Sequence, residues 1–146
     1  MIRRSGEQVP RRVRGAAGTC GTEMTTQAKL DKHLVLRDRT KRFALRILKL
    51  CSSLPKTDAG RMIGRQLLRS GTSVAANYRA VGRARSQAEF VAKMGVVIEE
   101  ADESVFWLEL LVDGGIMAQS RLGELTREAN ELLAIFVASQ KTARGK

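Results

Sequence analysis

An all-α fold, an antiparallel up-down-up-down four-helix bundle behind a disordered basic extension, is what three features of this sequence predict. Apolar positions recur at steps of three and four over most of the chain, the period of a helix with one buried stripe. Aromatic residues make up only 4% and there are two prolines, so Leu, Ala, Val and Ile must build the core, a composition that suits helix packing better than sheet. The breaks between periodic segments are short and carry Pro, Gly and capping residues. At 146 residues the chain holds one domain of ordinary size.

Residues 1–28 hold four Gly and one Pro, with no sustained period. Such a segment buries too little apolar surface to offset the entropy of ordering, so it is expected to be a disordered arm. Its five arginines and two glutamates give it a charge of +3. Met24, just before the patterned region, offers an alternative natural start, in which case residues 1–23 are not translated; the other reading is a real basic arm. The bundle is expected over 29–146.

The first helix is placed at 36–53, where Leu36, Phe43, Ile47, Leu50 and Leu54 follow helical spacing and Ala44, Leu48 and Cys51 widen the stripe. Pro55 stops it. The second, at 58–82, has the seam Ile63, Leu67, Gly71, Val74, Tyr78 and Val81. Its middle is rich in small residues, which lets a neighbouring backbone approach closely although Gly costs about 1 kcal/mol in a helix. The third opens on Ser86-Gln87-Ala88-Glu89, a capping box, and Gly114-Gly115 ends it. Phe90, Met94, Val97, Ala101, Val105, Leu108 and Val112 form its seam. The fourth, at 119–140, steps through Leu122, Leu125, Ala129, Leu132 and Phe136. Four one-striped helices with short connections bury their stripes best as an up-down bundle.

The net charge of +11, with a pI near 10.6, speaks to partners rather than to fold. It is unevenly placed. Residues 29–85 carry 15 Lys/Arg against 3 Asp/Glu, whereas 86–146 carry 6 against 10. On the second helix Arg61, Arg65, Arg69, Arg79 and Arg83 fall within an arc of roughly 80° opposite the seam. Arg39, Arg42, Arg46 and Lys49 run along one edge of the first helix. Cations so spaced can follow a phosphate backbone. The alternatives are pairing with Glu99, Glu100 and Glu103 on another helix or subunit, and plain solvation. Phe106, Trp107 and Leu110 lie off the third seam, where a bundle helix is normally polar, and mark an expected oligomer interface; the alternative is a third helix that is central in the monomer and buried on two sides.

Catalytic and metal-binding patterns are missing. His33 is the single histidine, Cys20 and Cys51 form no ligand pair, and Glu99, Glu100 and Glu103 lack a second acidic helix opposite them. Gly60, Gly64 and Gly71 follow no strand, and Ser70 and Ser73 have no base beside them. The expectation is therefore no enzyme, no metal and no cofactor. No apolar run reaches membrane-spanning length, no secretory signal is visible, and a reducing cytoplasm is expected.

Three stretches carry a resemblance: Arg65–Arg79 (RQLLRSGTSVAANYR), Gly82–Phe90 (GRARSQAEF) and Ile98–Leu111 (IEEADESVFWLELL). Together they resemble bacterial four-helix bundle proteins, some of them encoded within intervening sequences of 23S ribosomal RNA genes. That family is similar to the accessory protein of diversity-generating retroelements, which partners a reverse transcriptase. The resemblance covers about residues 30–140. It implies a four-helix protomer, a homopentameric barrel, basic surfaces able to contact nucleic acid, and no known catalysis. The family-like positions are Arg69, Ser73, Asn77, Tyr78, Arg83, Ser86, Glu89, Phe90, Glu100 and Trp107. Ala80 departs from the pattern, which commonly has Glu there, so a carboxylate role is lost at that place. Nucleic-acid binding by a homo-oligomer and a protein-assembly scaffold remain the two expected functions.

Overall fold

A computed structural model describes residues 20–145, with side-chain environments from residue 25 onward. Among these residues there are four helices and no strand: α1 (Cys20–Ser52), α2 (Asp58–Val81), α3 (Gln87–Asp113) and α4 (Gln119–Arg144). Each helix runs antiparallel to the next. Cys51 and Ile47 of α1 meet Gly64 and Gly71 of α2. Gln87 and Val91 of α3 bond Ala143 and Gln140 of α4. Of the adjacent pairs α1 and α4 pack least closely, and α3 lies diagonally across from α1.

The helix ends follow from local chemistry. Thr57 caps α2, its hydroxyl accepting from the Gly60 amide at 3.1 Å. Ser86 caps α3 by accepting from the Glu89 amide at 3.0 Å, while Glu89 reaches back to accept from the Arg85 amide at 2.8 Å. At the other end of α3, Gly115 takes the left-handed conformation, with φ of 69°. That lets the Ile116 amide donate to Leu111 and the Gly115 amide to Val112, the paired bonds of a Schellman end.

The predicted seams form one core. Phe43, Ile47, Leu67, Val74, Val97, Leu108, Leu122, Leu132 and Phe136 are all essentially inaccessible to solvent. Two hydroxyls join α2 to α3 within it: Ser70 and Ser104 lie 3.0 Å apart, each also beside a carbonyl of its own helix.

Three expectations need correction. The first helix begins at Cys20, not near 36, so the boundary expected between residues 28 and 29 falls inside α1. The apolar stripe does start near Leu36, but a helix needs no stripe to continue. Residues 27–32 contain good helix formers and no proline, and the Gln27 amide donates to Asp31 one turn on at 2.8 Å. The rest of the expected disordered arm, residues 1–19, lies outside the described residues. Leu48, assigned to the buried stripe, is 46% exposed because its spacing puts it on the face of α1 that carries the exposed Leu34 and Leu45. The fourth helix runs to Arg144 rather than 140, since nothing in Lys141-Thr142-Ala143 breaks it.

Candidate nucleic-acid interface

The nine cations singled out by spacing separate into two kinds once the helices are packed. Arg39 and Arg69 are engaged. The Arg39 guanidinium grips Glu128 of α4 with two bonds of 2.6 and 2.7 Å and donates to Glu131 at 2.6 Å. The hydrogen bond from Arg39 holds the Glu128 carboxyl below the usual carboxylate range, and the same pairing raises the Arg39 guanidinium. Arg69 bonds Glu103 and, at 3.2 Å, Glu100 across the α2–α3 joint. Glu103 is lowered chiefly by Arg69, and next by the Trp107 indole, which donates to it at 3.1 Å. Two arginines expected to meet phosphate therefore meet carboxylates of their own chain.

The other seven face solvent. Arg42 and Arg46 line a cleft between α1 and α4 beside Glu128, and Arg42 keeps a loose pair with Asp38 at 3.3 Å. Lys49 continues that edge. Arg61, Arg65, Arg79 and Arg83 stand exposed along the outside of α2. The first and last of these are separated by about 33 Å of helix at 1.5 Å per residue. Arg79 also joins two residues that spacing alone passed over: Arg37 and Lys41 of α1 approach it across a groove floored by Ala75 and Ala76. Their one sequence signal is their own i, i+4 spacing, hidden because they fall outside the Arg39–Lys49 series.

His33, also without an expected role, stacks on Tyr78 with ring centroids 5.0 Å apart and covers Gly82. Burial first, and Arg37 second, lower its pKa, while burial pushes the Tyr78 phenol up to about 12. The expected interface residues divide as well. Phe106 is 51% exposed and lies edge-on against Trp107, whereas Trp107 and Leu110 are half-buried against the core. Among the described residues no group of three His, Cys, Asp or Glu converges as metal ligands would. No described helix is long and apolar enough to cross a membrane.

The sequence profile of the 23S rRNA-intervening sequence proteins matches residues 32–138, which is most of the chain. The chain belongs to that family. A solved structure of a protein of unknown function from the S23 ribosomal protein family of Bacteroides thetaiotaomicron is similar to it. The two are 31% identical, superpose with a TM-score of 0.69, and the match covers 75% of this chain and 98% of the other. None of the curated proteins compared matches the chain. Within the three stretches that carry the resemblance, several polar side chains gather at the α2–α3 joint. Arg69 pairs with Glu100, Ser86 caps against Glu89, Trp107 braces Glu103, and the Asn77 amide donates back to the Ser73 carbonyl at 2.9 Å.

Proposed function

We propose that this protein is a non-enzymatic homo-oligomer that binds the backbone of RNA or DNA through the exposed cations of α1 and α2. One observation carries the reading. Over residues 29–85 the charge is strongly positive, and after Arg39 and Arg69 have found their carboxylates seven of the nine cations still face solvent. An ordinary solvated helix face mixes signs. A row of arginines without acids is matched by a polyanion, and releasing its counterions drives association. Arg42, Arg46, Lys49, Arg61, Arg65, Arg79 and Arg83 are the residues assigned to it. Few aromatics are available to stack on bases, so recognition is of backbone rather than of sequence. By the family resemblance the assembly is a pentamer of the 16.1 kDa protomer, working in the cytoplasm beside its nucleic-acid partner.

The test is a salt titration of binding to single- and double-stranded RNA and DNA. Each phosphate contact adds ~0.7–0.9 to the slope of log affinity against log salt. Arg61→Ala with Arg65→Ala, two exposed changes on α2, should weaken binding to all sequences alike and flatten the slope. An unchanged slope would move the contact to the Arg42, Arg46, Lys49 edge. An absence of binding at low salt would refute the reading. That outcome would favour an assembly scaffold or accessory subunit, for example of a reverse transcriptase. The exposed Phe106, Leu45 and Leu48, which phosphate has no use for, support that second reading.

A further inference from the structure

The groove between α1 and α2 has a chemistry that a phosphate track does not need. Its volume is about 450 Å³, its floor is Leu34, Ala75 and Ala76, and Arg37, Lys41 and Arg79 stand around it. Its one acid, Asp38, already pairs with Arg42. Along α1 the same face continues as a line of large apolar side chains in water: Leu30, Leu34, Leu45 and Leu48 are each between 46% and 54% exposed. With Arg37 and Lys41 these residues step by 4, 3, 4, 4 and 3, a single stripe about 27 Å long. An apolar floor with a cationic rim is the shape that receives an acidic amphipathic helix.

The chain itself supplies such a helix. On the outer side of α3, Val96, Glu99, Asp102, Phe106, Glu109 and Asp113 step by 3, 3, 4, 3 and 4 and are all exposed. This ridge is about 26 Å long, matching the groove. None of its four acids is paired with a described cation, in contrast to Glu100 and Glu103 one step round the same helix. We infer that the α1–α2 groove receives the acidic outer ridge of α3 from a second copy of this chain. Phe106 then lies over Ala75 and Ala76, where small side chains leave room for a ring. Glu99, Asp102, Glu109 and Asp113 meet Arg37, Lys41 and Arg79, so in the assembly Arg79 serves this contact and the phosphate track is left to the other six cations. A copy cannot fill its own groove, because α1 and α3 stand on opposite corners of the bundle and the ridge faces outward from α3. The contact is therefore head-to-tail: it excludes a two-fold dimer through these surfaces and closes into a ring or runs on as a filament. The contact rests on the assembled state proposed above and says which faces make it.

Charge reversal on exposed positions tests this without touching the core. One variant carries Lys41→Glu and Arg79→Glu; the other carries Glu99→Lys and Glu109→Lys. Light scattering should report each alone as the 16.1 kDa protomer. Mixed in equal amounts, they should regain a multiple of that mass, since each then offers the sign the other lacks. A chain with all four changes should also reassemble. A wild type that is itself monomeric would overturn both this contact and the assembled state. An assembled wild type whose mass ignores either pair of reversals would overturn the contact alone. So would variants that stay monomeric on mixing, or groove reversals that abolish RNA binding while leaving the mass intact, which would make the groove a phosphate track.

Discussion

At Gly71 α2 packs closely on Ile47 of α1, and its replacement by Leu has an outcome set by two opposed effects. A Cβ built on Gly71 would sit 2.9 Å from Cγ1 and 3.0 Å from Cγ2 of Ile47, which is itself fully buried and has no free volume to turn into. Overpacking of this kind costs about 1–3 kcal/mol. Against it stands the gain of about 0.8–1 kcal/mol from removing a helical glycine. For Gly71→Ala, one carbon meets Ile47 and the two effects nearly cancel. For Gly71→Leu, three further carbons must enter the same crossing, and the balance becomes a loss of about 1–2 kcal/mol. At roughly 3–4 °C per kcal/mol for a domain of this size, the melting temperature should fall by about 3–8 °C. The measurement is thermal unfolding by circular dichroism at one fixed protein concentration, because assembly adds its own stabilisation. An unchanged or higher melting temperature for Gly71→Leu would show that the crossing is looser than these distances require.

Glu128, held low by Arg39, contributes stability that is present above its unfolded pKa and lost as pH falls through its lower folded value. Acid titration of unfolding should therefore show a loss below about pH 4.5, worth at most about 1 kcal/mol for so solvent-screened a pair, and Glu128→Gln should flatten it. His33 has the same sign in a different window. Its folded pKa is depressed, so the unfolded chain takes up the proton first and stability should decline as pH drops below about 6.5, a decline that His33→Gln removes. Gly115→Ala, forced into the left-handed region, should cost about 1–2 kcal/mol in chemical denaturation.

The buried faces were legible because burial depends on period, and period is local. Ile63, Leu67, Val74, Tyr78 and Val81 all reached the core, as did Leu122, Leu125, Ala129, Leu132 and Phe136. The Ser86 cap and the Gly114-Gly115 end were equally local signals. What spacing could not give was the partner of each charge. Arg39 meets Glu128 across 89 positions of chain, and Arg69 meets Glu103 across 34, so their neutralisation appears only once the order of helices round the bundle is known. The same blindness hid the groove. Arg37, Lys41 and Arg79 belong to two helices, and viewing each helix as a separate wheel cannot bring them together. The early start of α1 leaves no apolar period to see, because residues 25–32 form helix while burying nothing.

This has a consequence for where function lies. The residues that carry the family likeness are spent largely on docking α2 against α3 through Arg69, Glu100, Glu103 and Trp107, and on turning the chain at Ser86. Side chains committed to one another in this way are satisfied, and a satisfied polar group has little left to offer a ligand. The groups with unused capacity stand on the outer faces of the helices, some of them within the same stretches: Arg37 and Lys41 on α1, Arg61, Arg65, Arg79 and Arg83 on α2, and the acids Glu99, Asp102, Glu109 and Asp113 on α3. The bundle presents a predominantly cationic side and a separate acidic ridge. The two cannot neutralise each other within one copy, and that arrangement is what makes both a polyanion and a second copy suitable partners.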